Sequence, residues 1–321
     1  MGKYKITLKR TDEFVETEWL EYIHSFNLVF KKTYSYDYFK HKYLGTSLGY
    51  SYHGILTCED VIVGMFTIIP RKYNYVGKEI TIGLGCDAFI LKEHRKDEFF
   101  LKDMADIVIA KFNEFGITKF ISIPNKSAYN YWLYYGGWKD IGELDYYIIP
   151  LNISKFIGKL SFLDCASNYT FKLTTLLSSL NPFISTENES KLFSLVRDEK
   201  YYQDRYNSDY TIIQIGELGR FVYRVSMEDN IRTAYIIDCY PKSTSTISFA
   251  IKEILGAENH KIDAIMFVGK IDKPPIYFLK VPNSKVPRIQ HFIGLSVSNE
   301  FESDFFKLDS WDVSLSNFDN R

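Results

Sequence analysis

The chain has few cysteines, and none of them is placed for chemistry. Cys58, Cys86, Cys165 and Cys239 form no Cys-x-x-Cys pair, and no two sit close together. That spacing excludes the ordinary zinc sites and leaves no disulfide framework, so no metal and reduced thiols in a cytoplasmic protein are expected. Lys and Arg form no run, and 39 basic residues face 40 acidic ones for a net charge of -1. A surface that tracks phosphates needs concentrated positive charge, so nucleic acid is excluded as a partner. No stretch of ~18 apolar residues is present, and the opening MGKYKITLKRTDEF lacks the apolar core of a signal peptide. No membrane span or export signal is expected. Aromatics, by contrast, are plentiful: 25 Tyr and 25 Phe bring the aromatic fraction to 17%, within a hydrophobic fraction of 46%. A chain of 321 residues with this composition can bury a large core, in two domains or one large one.

Periodicity orders the chain. Residues 17–31 place Trp19, Leu20, Ile23, Phe26 and Phe30 three to four apart, an amphipathic helix. Tyr36, Phe39 and Tyr43 follow in a second short helical or turn segment. The period then becomes two, predicting strands over 49–57 and 61–69, with Pro70 ending the second, and a hairpin through 73–75 and 79–91 turning at Gly77. A helix over 96–115 stops at Gly116. A strand over 118–123, a helix over 127–135 and a strand over 138–150 come next. Residues 151–190 are richer in Ser, Thr and Asn, with helical pieces near 154–160 and 169–180, and read as a connecting segment. Beyond it strands are expected over 210–215, 221–226, 232–239, 264–268 and 276–281, with a helix over 245–255. An internal echo links the halves. Residues 37–43 (DYFKHKY) resemble residues 200–206 (KYYQDRY), an offset of 200 − 37 = 163, which hints at a duplicated module.

Four short motifs point to chemistry. The first is the strand-to-helix junction holding His94, Arg95, Lys96, Asp97, Glu98, Phe99 and Phe100. Such a junction presents free amides and a helix dipole to an anion, which suits a pyrophosphate. The second is Ile123-Pro124-Asn125-Lys126-Ser127, followed by Gly136-Gly137-Trp138. The third is Gly85-Cys86-Asp87, and the fourth is the segment from Trp311 to Asp319.

In this order and spacing the motifs resemble the GNAT superfamily of N-acyltransferases. Residues 95–100 stand where that family has Arg/Gln-x-x-Gly-x-Gly/Ala, but here the glycines are missing and Asp97 and Glu98 are acidic. Asn125, Ala128 in the small-residue position with Ser127 just before it, and the Gly137-Trp138 turn are similar to the Phe-Pro-Asn-x-x-(Ser/Ala) … Gly-Trp signature of one branch, with Ile123 in place of the Phe. The terminal segment is similar to that of tandem-GNAT enzymes from bacterial surface-polysaccharide (O-antigen, lipopolysaccharide) clusters.

The resemblance implies an α+β (mixed α/β) fold of two tandem GNAT-like modules. Each would be a mixed, mainly antiparallel sheet flanked by helices, with the second degenerate. The expected boundaries are an acyl-CoA-binding domain over 1–150, a connector over 151–190 and a substrate-binding or scaffold domain over 191–321. The co-substrate implied is acyl-CoA (acetyl-CoA or 3-hydroxybutyryl-CoA), held by Ala88, Phe89, Ile90, His94, Arg95, Lys96, Asp97, Glu98, Phe99, Phe100, Asn125 and Ser127. The acceptor implied is a nucleotide-linked amino sugar, of the dTDP-3-amino-3,6-dideoxyhexose kind, touched by Asp87 and Asp319. The amine must lose a proton before it attacks the thioester, so a carboxylate or histidine beside the strand is useful. Asp87 is the first candidate and His53 the second. The family's thiolate-protonating Tyr would fall on Trp132 or Leu133, which leaves the neighbouring Tyr134 and Tyr135 as candidates. Two alternatives stay open: a GNAT acylating a peptide or antibiotic amine, and a non-catalytic GNAT-like binding module. The aromatic-rich second half leaves room for a homodimer interface.

Overall fold

The computed structural model describes residues 3–153, 155, 163–180, 191–216, 219–258 and 261–318. In chain order the first elements are β1 (Tyr4–Arg10), α1 (Glu16–Phe30), α2 (Tyr36–Leu44), β2 (Tyr52–Cys58), β3 (Val61–Tyr75), β4 (Lys78–Ile90), α3 (Phe100–Glu114), β5 (Lys119–Ser122), α4 (Lys126–Tyr134) and β6 (Lys139–Pro150). Then come α5 (Leu163–Ser179), β7 (Phe193–Leu195), α6 (Glu199–Arg205), β8 (Thr211–Ile215), β9 (Gly219–Glu228) and β10 (Ile231–Tyr240). The remaining elements are α7 (Thr244–Glu258), β11 (Ala264–Gly269), β12 (Leu279–Lys280), β13 (Gln290–Ser296) and α8 (Glu302–Phe305). The helical piece expected at 154–160 lies, Lys155 aside, outside the described residues.

The chain forms two compact units, and neither is contiguous. The first is Met1–Gly142 with Leu192–Asn207 and Gln290–Ser310; the second is Glu143–Lys191 with Ser208–Ile289 and Trp311–Arg321. The boundaries expected at 150 and 191 therefore do not separate them. Two later segments return to the first unit because β13 pairs with β5 and β7 pairs with β3.

In the first unit the strand order is β1-β2-β3-β4-β5-β13. Neighbours are antiparallel except β4 and β5, which run parallel through the α3 crossover. The β2–β3 hairpin turns on Glu59 and Asp60 and the β3–β4 hairpin on Val76 and Gly77, all four with positive φ. Two-residue loops of that conformation match the strands' own twist. Helix α3 covers one face, burying Met104, Val108 and Phe112 with Tyr52, Phe66 and Phe120. On the other face Tyr22, Phe26, Phe39 and Tyr43 of α1 and α2 pack ring on ring, and Tyr22 and Phe26 also reach Phe89 of β4. The close approach of α3 explains Gly54, where a Cβ would stand 2.1 Å from the carbonyl oxygen of Met104.

Pro70 does not end β3, which continues to Tyr75. Strand β2 already ends opposite Ile68, and Ser47 Oγ donates to the Pro70 carbonyl from the flank left open. The missing N–H points to that same flank, so no ladder bond is lost.

The second unit repeats the plan with the order β6-β11-β10-β9-β8, antiparallel except β10 and β11, which α7 joins in parallel. Ile247, Ile251 and Ile254 of α7 bury against Phe221, Ile236 and Phe267. The run α2-β2-β3-β4-α3-β5 thus recurs as α6-β8-β9-β10-α7-β11, and the DYFKHKY/KYYQDRY echo falls on the two leading helices. The strand expected over 276–281 shrinks to the two residues of β12. In the terminal segment Trp311 is fully buried, Asp312 forms a buried ion pair with Lys242 at 2.6 Å, and Asn317 Oδ1 accepts from the Ser314 amide. The described part of that motif is buried within the second unit. Asp319 lies outside the described residues.

Candidate active site

The site grows from one irregularity in β4. The β3–β4 register slips between Met65↔Phe89 and Thr67↔Cys86, so β4 carries one extra residue there. This is a bulge, and Asp87 sits in it at φ 51. The left-handed region is strained for most residues but tolerated by Asp, and it re-aims the side chain. On its other flank β4 pairs with β5 only at Gly83↔Phe120 and Leu84↔Ile121. Beyond that the two strands part, tied once more by Ser122 Oγ donating to the Gly85 carbonyl at 2.8 Å.

The parted strands open into a cleft of about 890 Å³, at the upper end of the range for small-molecule sites. Its β4 wall is Ala88, Phe89 and Ile90; its outer turn is Arg95, Lys96, Asp97, Glu98 and Phe99; its opposite wall includes Asn125 and Ser127. These ten are all among the twelve positions expected to hold the co-substrate. The other two face elsewhere: His94 Nδ1 lies 3.2 Å from the hydroxyl of Tyr4, and the Phe100 ring packs on Tyr4. Leu101, Ala128 and Tyr131 line the cleft as well; Ala128 belongs to the Pro-Asn motif, but none of the three was expected to hold the co-substrate. A signal for the last two existed. Asn125, Ala128 and Tyr131 are spaced three apart, one face of a helix.

Each wall is held by identifiable bonds. Asn125 caps α4, its Oδ1 accepting from the Ala128 amide at 2.9 Å. Arg95 turns inward and donates from Nε to the Ile90 carbonyl at 2.9 Å. Asp97 Oδ1 accepts from the Phe99 amide at 2.8 Å. The Tyr131 hydroxyl bridges the walls, donating to the Glu98 carbonyl at 2.6 Å and accepting from the Lys102 amide at 3.0 Å.

Asp87 itself points toward α2. Its Oδ2 accepts from Tyr43 Oη at 2.6 Å and lies 2.7 Å from Lys42 Nζ, which also donates to Oδ1 at 3.0 Å. The Lys42 and Asp87 side chains are 6% and 10% exposed, so this is a nearly dry ion pair. The Tyr43 hydroxyl bonds in turn to the hydroxyl of fully buried Tyr22. Burial, reinforced by the Asp87 carboxylate, pushes both phenols well above the ordinary tyrosine value. The Cys86 thiol, 3.6 Å from Asp87 Oδ2, is pushed up by the same two causes and is a poor nucleophile.

The other catalytic candidates stand apart from this cluster's polar contacts. His53 is completely buried, with Nε2 2.8 Å from Thr11 Oγ1 and Nδ1 2.9 Å from Thr67 Oγ1. Both ring nitrogens are spent and burial lowers its pKa to about 3, so it is a neutral packing residue and not a base. Tyr134 points into solvent, 83% exposed, and Tyr135 rests on Phe99 and Tyr131. Neither lines the cleft. Among the described residues no cluster of His, Cys, Asp and Glu could hold a metal, and no helix is long and apolar enough to cross a membrane.

The fold is shared with solved structures of GCN5-related N-acetyltransferases. A GCN5-related N-acetyltransferase from Kribbella flavida superposes with a TM-score of 0.59 at 11% identity, over 91% of this chain and 71% of that one. A second, from Anabaena variabilis, gives 0.56 at 13% identity, over 90% and 72%. Saccharomyces cerevisiae N-myristoyltransferase with bound myristoyl-CoA gives 0.53 at 9% identity, over 92% and 79%. At such identities the likeness is one of fold. No protein family and no curated protein matches the sequence.

Proposed function

We propose that the protein is an acyl-CoA-dependent N-acyltransferase. The observation that carries this reading is the cleft between β4 and β5, whose lining begins at Ala88, the residue after the Asp87 bulge, so a donor groove ends beside a carboxylate that Lys42 and Tyr43 hold. The donor's pantetheine arm would lie between residues 88–90 and α4, with the thioester at the bulge. Main-chain amides of β4 would polarise the carbonyl. The acceptor would approach from the α1–α2 side, where Asp87 is the carboxylate able to hold its ammonium and receive the proton. Lys42 and Tyr43 fix that carboxylate in place. Attack then forms the C–N bond and breaks the C–S bond, and the leaving thiolate takes up the second proton that the nitrogen sheds, so the thiol is released. Binding both reactants on one sheet supplies proximity.

For the acceptor, we propose a nucleotide-linked amino sugar of the 3-amino-3,6-dideoxyhexose kind, acylated with an acetyl or 3-hydroxybutyryl group for surface-polysaccharide synthesis. The support is the order of the Gly85-Cys86-Asp87, Asn125/Ser127, Gly137-Trp138 and Trp311–Asp319 motifs along the chain. The test is thiol release from acetyl-CoA and 3-hydroxybutyryl-CoA with a panel of free amino sugars, nucleotide-linked amino sugars and peptides. Turnover confined to the nucleotide-linked sugars is expected. Turnover confined to peptides would overturn the acceptor, and no turnover together with no coenzyme A binding would overturn the enzyme.

A further inference from the structure

The outer turn of the cleft is not built as an anion cradle. A diphosphate is ordinarily held on main-chain amides that have no other partner at the start of a helix. Here four of those donors are already engaged. The Arg95 and Lys96 amides donate to the carbonyls of Lys92 and His94, the Phe99 amide to Asp97 Oδ1, and the Lys102 amide to the Tyr131 hydroxyl. The Arg95 guanidinium, the natural phosphate ligand of this turn, donates from Nε to the Ile90 carbonyl. Charge gives no compensation: of the lining residues, Arg95 and Lys96 are cationic and Asp97 and Glu98 anionic, a formal sum of 2 − 2 = 0. A carboxylate beside the Phe99 amide occupies the place where a phosphate oxygen would be received. No glycine is present between Leu91 and Phe115 to let the main chain approach a ligand more closely. The inner cleft differs. The β4 edge at 88–90, Asn125, Ala128 and Tyr131 form a groove of mixed polarity.

Resting on the acyltransferase reading above, we propose that the protein recognises its donor through the pantetheine arm and not through the diphosphate. The ligand class is an acyl-S-pantetheine thioester, and Asp97 and Tyr131 are the residues that withdraw the diphosphate subsite. Coenzyme A, 4′-phosphopantetheine and pantetheine then bind with similar strength. Calorimetric titration of the full chain with these three compounds tests this without any variant. The expected result is affinities within about tenfold of one another, a spread of roughly 1.4 kcal/mol. Coenzyme A binding more than about a hundredfold tighter than pantetheine would overturn the inference while leaving the acyltransferase reading intact. Failure of all three to bind would overturn both. A second measurement uses Asp97→Gly, which frees the Phe99 amide and removes one negative charge. The ratio of coenzyme A affinity to pantetheine affinity is expected to rise about tenfold, and an unchanged or lower ratio would show that Asp97 does not withdraw the subsite.

Discussion

Asp87 is held in a conformation that most side chains avoid, and it is held there by Lys42 and Tyr43. The ion pair is nearly dry, so removing one partner leaves the other charge buried without compensation. Lys42→Met should therefore destabilise the fold by ~3–5 kcal/mol, seen as a lower midpoint in denaturant unfolding. A change under ~1 kcal/mol would mean that water reaches the pair. Asp87→Asn tolerates the same backbone and tests the chemistry instead. If Asp87 takes the proton, turnover falls by roughly 10²–10⁴ with coenzyme A affinity retained; unchanged turnover would remove it from that role. His53 governs a different property. Its folded pKa of about 3 lies below the ordinary value of 6.5, so between these values the unfolded chain binds a proton that the native chain does not. Stability then drops as pH falls through that window, by up to ~1.4 kcal/mol per pH unit, and is unaffected above it. Thermal unfolding from pH 7 to pH 4 should show this slope, and His53→Gln should flatten it. An equal slope in both proteins would place the acid sensitivity elsewhere.

Among the elements, those that bear the cleft are local in sequence, and this made them legible. Residues 95–99 join a strand to a helix, residues 88–90 end the preceding strand, and Asn125 announces the next helix as its cap, so each reads from its immediate neighbours. Lys42 and Tyr43 could not be read that way, since their bonds to Asp87 cross 45 and 44 positions and depend on how α2 lies over the sheet. His53 was legible as a strand residue, but which face it took depended on packing against Phe14 and Tyr43. Pro70 misled because an open flank, invisible in the sequence, absorbs its missing donor. Gly54 shows the reverse case, a residue whose meaning lies wholly in a neighbouring element. A methyl group there would collide with the α3 backbone at Met104. Backbone cannot rotate aside as a side chain can, so Gly54→Ala should cost at least ~1–3 kcal/mol by overpacking. Because α3 also begins at the cleft turn, coenzyme A binding should weaken in the same variant. A fully stable Gly54→Ala protein would contradict the close approach of β2 and α3.

At the scale of the whole molecule, the sequence suggested a boundary near residue 150 because the helix–strand plan restarts after it. The repetition is real, as the two runs of elements show, but the repeats are not the compact units. β5 is four buried residues paired with β4 on one flank and with β13 on the other, and the ladder to β13 joins Ser122 to Ile293. Nothing in a local pattern announces a pairing across so long a separation, and the three residues of β7 are too few to carry a period at all. A fragment ending at residue 150 would keep the cleft residues and lose both partners. Its β5 would become an apolar open edge, and the outer half of β3 would lose its cover at Phe193 and Leu195. Exposed apolar edges pair with one another, so aggregation is the expected fate. Expressed alone, residues 1–150 should be recovered mainly as insoluble protein and show no cooperative unfolding. Adding back residues 192–207 and 290–310 through engineered linkers should restore a cooperative transition, because those segments complete the first unit. A soluble 1–150 fragment that unfolds cooperatively and binds coenzyme A like the full chain would show that the first unit needs neither returning segment.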